Sequence, residues 1–165
     1  MKLKTITAAS LVALTTLGSQ AADLGWGEHS LLESAFGVTA GGVIFDTYSF
    51  SLGVQSDVAS SVSSLGAISS GTYSLFGVGL DGQVGTADDV GLGAWTYGGA
   101  PTVNSLSLAA GDYYYSVFGF ATGAAAYSLN SAATATPVPE PESYALLAAG
   151  LGVIGVVVSR RRRPS

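Results

Sequence analysis

The chain has no cysteine and, away from its ends, no cation. Its 165 residues include no Cys, which excludes a disulfide framework, a thiol nucleophile and a thiolate metal site. Its six basic side chains are all terminal: Lys2 and Lys4 at one end, Arg160, Arg161, Arg162 and Arg163 at the other. Residues 22–159 carry all 11 carboxylates and neither Lys nor Arg. Binding to nucleic acid is excluded on this ground, because neutralising phosphates requires Lys or Arg. Each carboxylate must be solvated, bonded by neutral donors, or bound to a metal ion. Histidine is scarce as well. A Ser-His-acid triad would have to use His29, and no G-x-S-x-G elbow marks a nucleophile among the many serines.

What is abundant points to strands. The chain has 23 Gly and 8 Tyr, with Val, Tyr, Phe and Thr in short runs between glycine turns. This predicts an all-β fold, a small antiparallel β-sandwich over residues 22–133 with six or seven strands. Val43 to Val54 is the clearest strand. Ile44, Asp46, Tyr48, Phe50, Leu52 and Val54 share one face by period-2 alternation. Asp46 is the polar member of that face, either bonded to a nearby turn or facing a cation. Ser56 to Ile68 reads as a shallow strand. Thr72 to Leu80, Val90 to Tyr97, Tyr113 to Phe120 and Tyr127 to Ala133 read as further strands. In Asp23 to Thr39, Ser30-x-x-Glu33 either caps a short helix or forms an irregular lead-in to a strand.

Gly77-Val78-Gly79-Leu80-Asp81-Gly82 matches G-x-G-x-x-G, but two turn signals follow where a dinucleotide site needs a helix. Asp81, Asp88 and Asp89 on the same glycine-rich loop are oxygen donors of the kind calcium takes. The other reading is a hairpin loop with solvated aspartates.

The ends read as addresses. Residues 1–21 form a secretory signal peptide, with Lys2 and Lys4 before an apolar core and small residues at an Ala21–Ala22 cleavage point for signal peptidase. Residues 134–139 are an extended Pro/Thr linker. Residues 138–163 then join a Pro-Glu-Pro cluster, an apolar segment and four arginines. The 14 uncharged residues Ala145 to Val158 rise about 21 Å as a helix, against a bilayer core of about 30 Å. Tyr144 at one border and the arginines at the other favour a single transmembrane helix over 144–159, with residues 22–143 periplasmic.

This order resembles the PEP-CTERM sorting signal of Gram-negative, polysaccharide-producing bacteria. Pro139, Glu140, Pro141, Glu142, Ser143 and Arg160 to Arg163 stand where that signal has its recognition elements. The resemblance implies a partner, an integral-membrane exosortase that removes the tail and passes the protein towards the cell surface. In family naming the same region is also called an ice-binding protein C-terminal domain, a label that implies no activity here. The preceding domain resembles the FxDxF group of PEP-CTERM proteins through Ile44-Phe45-Asp46-Thr47-Tyr48-Ser49-Phe50 and Leu108-Ala109-Ala110-Gly111-Asp112-Tyr113.

The resulting expectation is an exported, exosortase-processed surface or matrix protein. It has no catalytic residue and no cofactor, and it meets exopolysaccharide by weak contacts. The alternatives are a carbohydrate- or calcium-binding secreted module and, more remotely, an exported hydrolase using His29.

Overall fold

A computed structural model describes residues 23–136 and 141–161. Nine strands occupy the first segment: β1 (Asp23–Glu28), β2 (Leu32–Thr39), β3 (Gly42–Leu52), β4 (Ser56–Leu65), β5 (Ile68–Gly77), β6 (Val90–Thr96), β7 (Asn104–Leu108), β8 (Gly111–Ala121) and β9 (Ala125–Ala135). They form two sheets, β1-β3-β8-β5-β6 and β2-β9-β4-β7. The sandwich is therefore observed, with more strands than the six or seven expected.

Residues 23–39 supply the difference. They form β1 and β2 rather than a helix. Glu33 does reach back to the Ser30 amide (3.2 Å) as in a capping box. The Ser30 hydroxyl, however, donates to the Leu32 carbonyl (2.9 Å), and the turn leads into a strand. The chain leaves the first sheet after β1, runs down the second as β2 and returns as β3. β1 and β3 consequently point the same way and pair in parallel, from Asp23 opposite Thr47 to Glu28 opposite Ser51. The wholly antiparallel arrangement is corrected at this edge.

Alternation decides which side chains enter the core. Ile44, Asp46, Tyr48, Phe50 and Leu52 of β3 are buried, while Val54 lies beyond the strand end and is exposed. β4 is not shallow. It lies inside its sheet, between β9 and β7, and buries Ser56, Val58, Ser60 and Val62. Leu75, Leu129, Val62 and Val117 are among the most deeply buried side chains, and each contributes about 1.5–3 kcal/mol relative to exposure. Much of the remaining core is tyrosine, with Tyr73, Tyr115 and Tyr127 fully buried.

A buried phenol needs a partner for its hydroxyl, and serines on the core face supply several. Tyr73 donates to the Ser60 carbonyl (3.2 Å) and accepts from Asn104 Nδ2 (2.7 Å). Tyr115 bonds Ser131 Oγ (3.0 Å). Among the described residues, the Tyr97 hydroxyl is the buried side-chain polar atom without a hydrogen bond.

The second segment is one helix, α1 (Pro141–Arg161). Its Leu146, Leu147, Leu151, Val153 and Ile154 are exposed. No helix among the described residues is long and apolar enough to cross a membrane. The expected transmembrane helix over 144–159 is therefore not shown. The helix forms, but its uncharged run of about 21 Å falls short of a bilayer core of about 30 Å. The signal peptide with its Ala21–Ala22 cleavage point, Pro139, Glu140, Arg162 and Arg163 lie outside the described residues.

Candidate functional site

The three loop aspartates lie between β5 and β6, where the chain folds over the outer surface of the first sheet. Asp89 anchors the loop. Its Oδ1 accepts the Gly79 amide (2.8 Å), and its Oδ2 accepts the amides of Gly85 (2.8 Å) and Thr86 (2.9 Å) and the Tyr114 hydroxyl (2.9 Å). Tyr114 points outward from β8 yet is only 5 % exposed, because the loop covers it and Phe76 stacks on its ring at 5.0 Å.

Asp88 Oδ1 accepts the Thr86 hydroxyl (2.6 Å) and its Oδ2 the Asp81 amide (3.3 Å). Asp81 Oδ1 accepts the Gln83 amide (2.8 Å). The Thr86 hydroxyl, with lesser help from the Asp81 amide, holds the Asp88 carboxyl below the ordinary aspartate range. At Asp89 partial desolvation is the largest influence and acts upward. Its bonds from Gly79, Tyr114, Thr86 and Gly85 together outweigh it, and the carboxyl is lowered. Among the described residues, no three acidic or histidine side chains are placed to hold a metal ion. Loop donors engage these oxygens in the place proposed for calcium.

Asp46 presents the opposite environment. It is buried in the middle of β3 and accepts a hydrogen bond from the Tyr127 hydroxyl of the facing sheet. Tyr48 in turn donates to Tyr127 (2.5 Å). Gly37 makes room for this reach. It sits opposite Tyr127 in the β2–β9 register, and a Cβ there would lie 2.1 Å from the Tyr127 ring.

Burial pushes the Tyr48 hydroxyl up to about 12, with the Tyr127 bond lowering it and the Asp46 charge adding to the rise. Burial raises Tyr127 too, followed by the influence of Tyr48 and Asp46. Tyr97 is pushed up to about 12 by burial, then by Asp46 and Tyr48. Asp46 is thus inside its strand rather than near the strand's end.

His29 closes one end of the sandwich. Its Nδ1 donates to the Ser30 carbonyl (2.5 Å), which leaves Nε2 to accept from Ser131 Oγ (2.8 Å). The ring stands edge-on to Phe50 (4.9 Å) and Trp26 (5.9 Å). Ser131 is 1 % exposed and also bonds Tyr115. A hydroxyl so enclosed has no path to a substrate carbonyl, so this His–Ser contact is a structural bond.

In the tail, Pro141, Glu142, Ser143, Arg160 and Arg161 all fall within α1. The proline stands at the first helical position, where its missing N–H costs nothing.

No curated protein sequence matches the chain. Among solved structures, it is similar to the pre-peptidase C-terminal domain of a collagenase from Bacillus anthracis. That likeness has 17% identity and a TM-score of 0.46, covering 71% of this chain and 99% of that one. Two periplasmic inhibitors of g-type lysozyme also align. The Salmonella Typhimurium PliG shows 19% identity and a TM-score of 0.41, over 70% of this chain and 100% of its own. The Aeromonas hydrophila PliG shows 14% and 0.42, over the same shares of 70% and 100%. These likenesses are too distant to bear on function. The tail is different: residues 137–163 match the PEP-CTERM protein-sorting motif, so the chain carries a signal that implies exosortase as its processing partner.

Proposed function

We propose that the protein is an exosortase-processed component of the cell surface or extracellular polysaccharide matrix, with no catalytic activity of its own. The PEP-CTERM motif over residues 137–163 carries this reading. Signal peptidase removes residues 1–21, and the exosortase acts near the Pro139–Ser143 box. The arginines of the tail hold the substrate at the membrane until it is cut. What is released is an acidic β-sandwich without lysine or arginine. The likeness of residues 44–50 and 108–113 to the FxDxF group supports a role in that setting. The enclosure of Ser131 beside His29 speaks against the hydrolase alternative.

Intact-mass measurement of protein recovered from the medium of an exosortase-positive host tests the route. The expected species begins near Ala22 and lacks the arginine tail. Extracellular protein that keeps Arg160 to Arg163 would overturn it.

A further inference from the structure

The outer surface of the first sheet divides into a covered half and an open half. Loop 78–89 covers the end bearing Phe76 and Tyr114. At the other end, Val43 lies directly opposite Phe120, and Phe45 directly opposite Phe118. These four side chains form two adjacent rows, and each is 42–50 % exposed. Between them Ile44 points inward opposite Gly119, and Val117 points inward next to Phe118. Both are buried in the core, so the outward phenylalanines are not needed to close it. The next row along the surface is hydroxylic, with Ser116 between Thr47 and Ser74.

Three observations select an occupant. The first is charge. No Lys or Arg lies in residues 22–159, so a polyanion finds no counter-charge, and a second copy would bring like charges. The second is area. The four side chains expose on the order of 400 Å², taking about 150–250 Å² for a whole aromatic side chain. A stable protein interface buries about 800 Å² per partner. The third is the neighbouring hydroxyl row. The Thr47 hydroxyl already donates to Asp23 (3.1 Å), but a lipid or an apolar protein surface would leave those of Ser116 and Ser74 unmatched. A sugar ring has the complementary chemistry: an apolar C–H face to stack on an aromatic ring, and a rim of hydroxyls.

The geometry points to Phe45, Phe118 and Phe120, with Val43, as a stacking platform for an uncharged polysaccharide, with Ser116 and its row meeting the ring hydroxyls. This deepens the matrix reading and rests on it, but its test does not depend on sorting.

The test is affinity electrophoresis of the full chain in native gels cast with hydroxyethyl cellulose, dextran or laminarin. Alginate serves as the acidic counterpart. Retardation by at least one neutral polymer is expected. Phe118→Ala and Phe120→Ala should each weaken it by about tenfold or more, and Phe118→Trp should keep it. Phe36→Ala, on the outer surface of the other sheet, should leave it unchanged. Thermal melts confirm that each variant is folded. Failure of all three neutral polymers to retard the protein would overturn the platform. So would full retardation of a folded Phe118→Ala/Phe120→Ala variant, retardation by alginate alone, or self-association in sedimentation that these substitutions abolish. A protein correctly trimmed in the mass measurement yet unretarded here would retain its sorting route and lose the platform.

Discussion

Asp46 and Asp89 solve one problem in two environments. No lysine or arginine lies in residues 22–159, and each accepts a hydrogen bond from a tyrosine hydroxyl, Tyr127 for Asp46 and Tyr114 for Asp89. Asp89 sits on a loop and adds three backbone amides. Asp46 sits in the core, where its tyrosine reaches from the facing sheet through space left by a glycine. The lesson is that a cation-free domain replaces ion pairs with phenols in the interior and with amides at its surface. The two sites should therefore fail differently.

Gly37→Ala should have the largest effect. The added Cβ lands on the Tyr127 ring, and overpacking of this kind costs roughly 3 kcal/mol, read as a lower urea midpoint at constant slope. Tyr127→Phe should follow. It withdraws a donor from a buried carboxylate at a cost of about 2 kcal/mol, and Asp46→Asn in the same chain should recover part of the loss. Tyr114→Phe should move the midpoint less than Tyr127→Phe, because Asp89 keeps its amides. An equal or larger shift would break the comparison. Gly79→Ala, whose Cβ would lie 2.2 Å from the Asp88 carboxylate, should leave the core intact. It should instead speed hydrogen exchange at the loop amides of Gly85 and Thr86.

The smallest effect at neutral pH becomes visible at the extremes. Asp88 and Asp89 are lowered in the fold, so their contribution is complete above the unfolded value of about 3.9. It is lost as pH falls through the lower folded values. Tyr48 and Tyr97 are raised from 10.0 to about 12. Their contribution is complete below pH 10.0 and is lost as pH rises through about 12. Acid should therefore loosen the loop first, as amide exchange resolved by residue would record. Alkali should instead loosen the core together with the loop's Tyr114 anchor, which burial and its bond to Asp89 also raise to about 12. Loosening of the core together with the loop in acid would contradict the separation.

The sequence made some of this legible. Strands β3, β5, β8 and β9 show in their alternation and aromatic content because a partner on each side and a core face constrain them, and the edge strand β6 shows through Trp95, packed against the core. β1 and β2 do not. Each is an edge strand of its sheet, with largely exposed side chains, so little burial imposes a period on Asp23–Thr39. The serines of β4 suggested shallowness because hydroxyls are usually solvated. Here they face the core as partners for tyrosines, and Ser60 reaches Tyr73 in this way. The partner of Asp46 lies 81 residues away, and only the packing of one sheet on the other brings it near. The loop aspartates were visible as a cluster. Their saturation by amides depends on backbone turns that composition does not specify. The exposure of the outward phenylalanines was not legible, because alternation identifies two faces without saying that one of them is open.

The replacement of cations by phenols also has a consequence for durability. A protease that requires Lys or Arg at the scissile bond has no site between residues 22 and 159, folded or unfolded. Reagents and enzymes that modify lysine amines likewise have no target there. Outside the cell, where proteolysis is unregulated, the domain is resistant to a whole class of enzymes through its covalent sequence, before its stability is called upon.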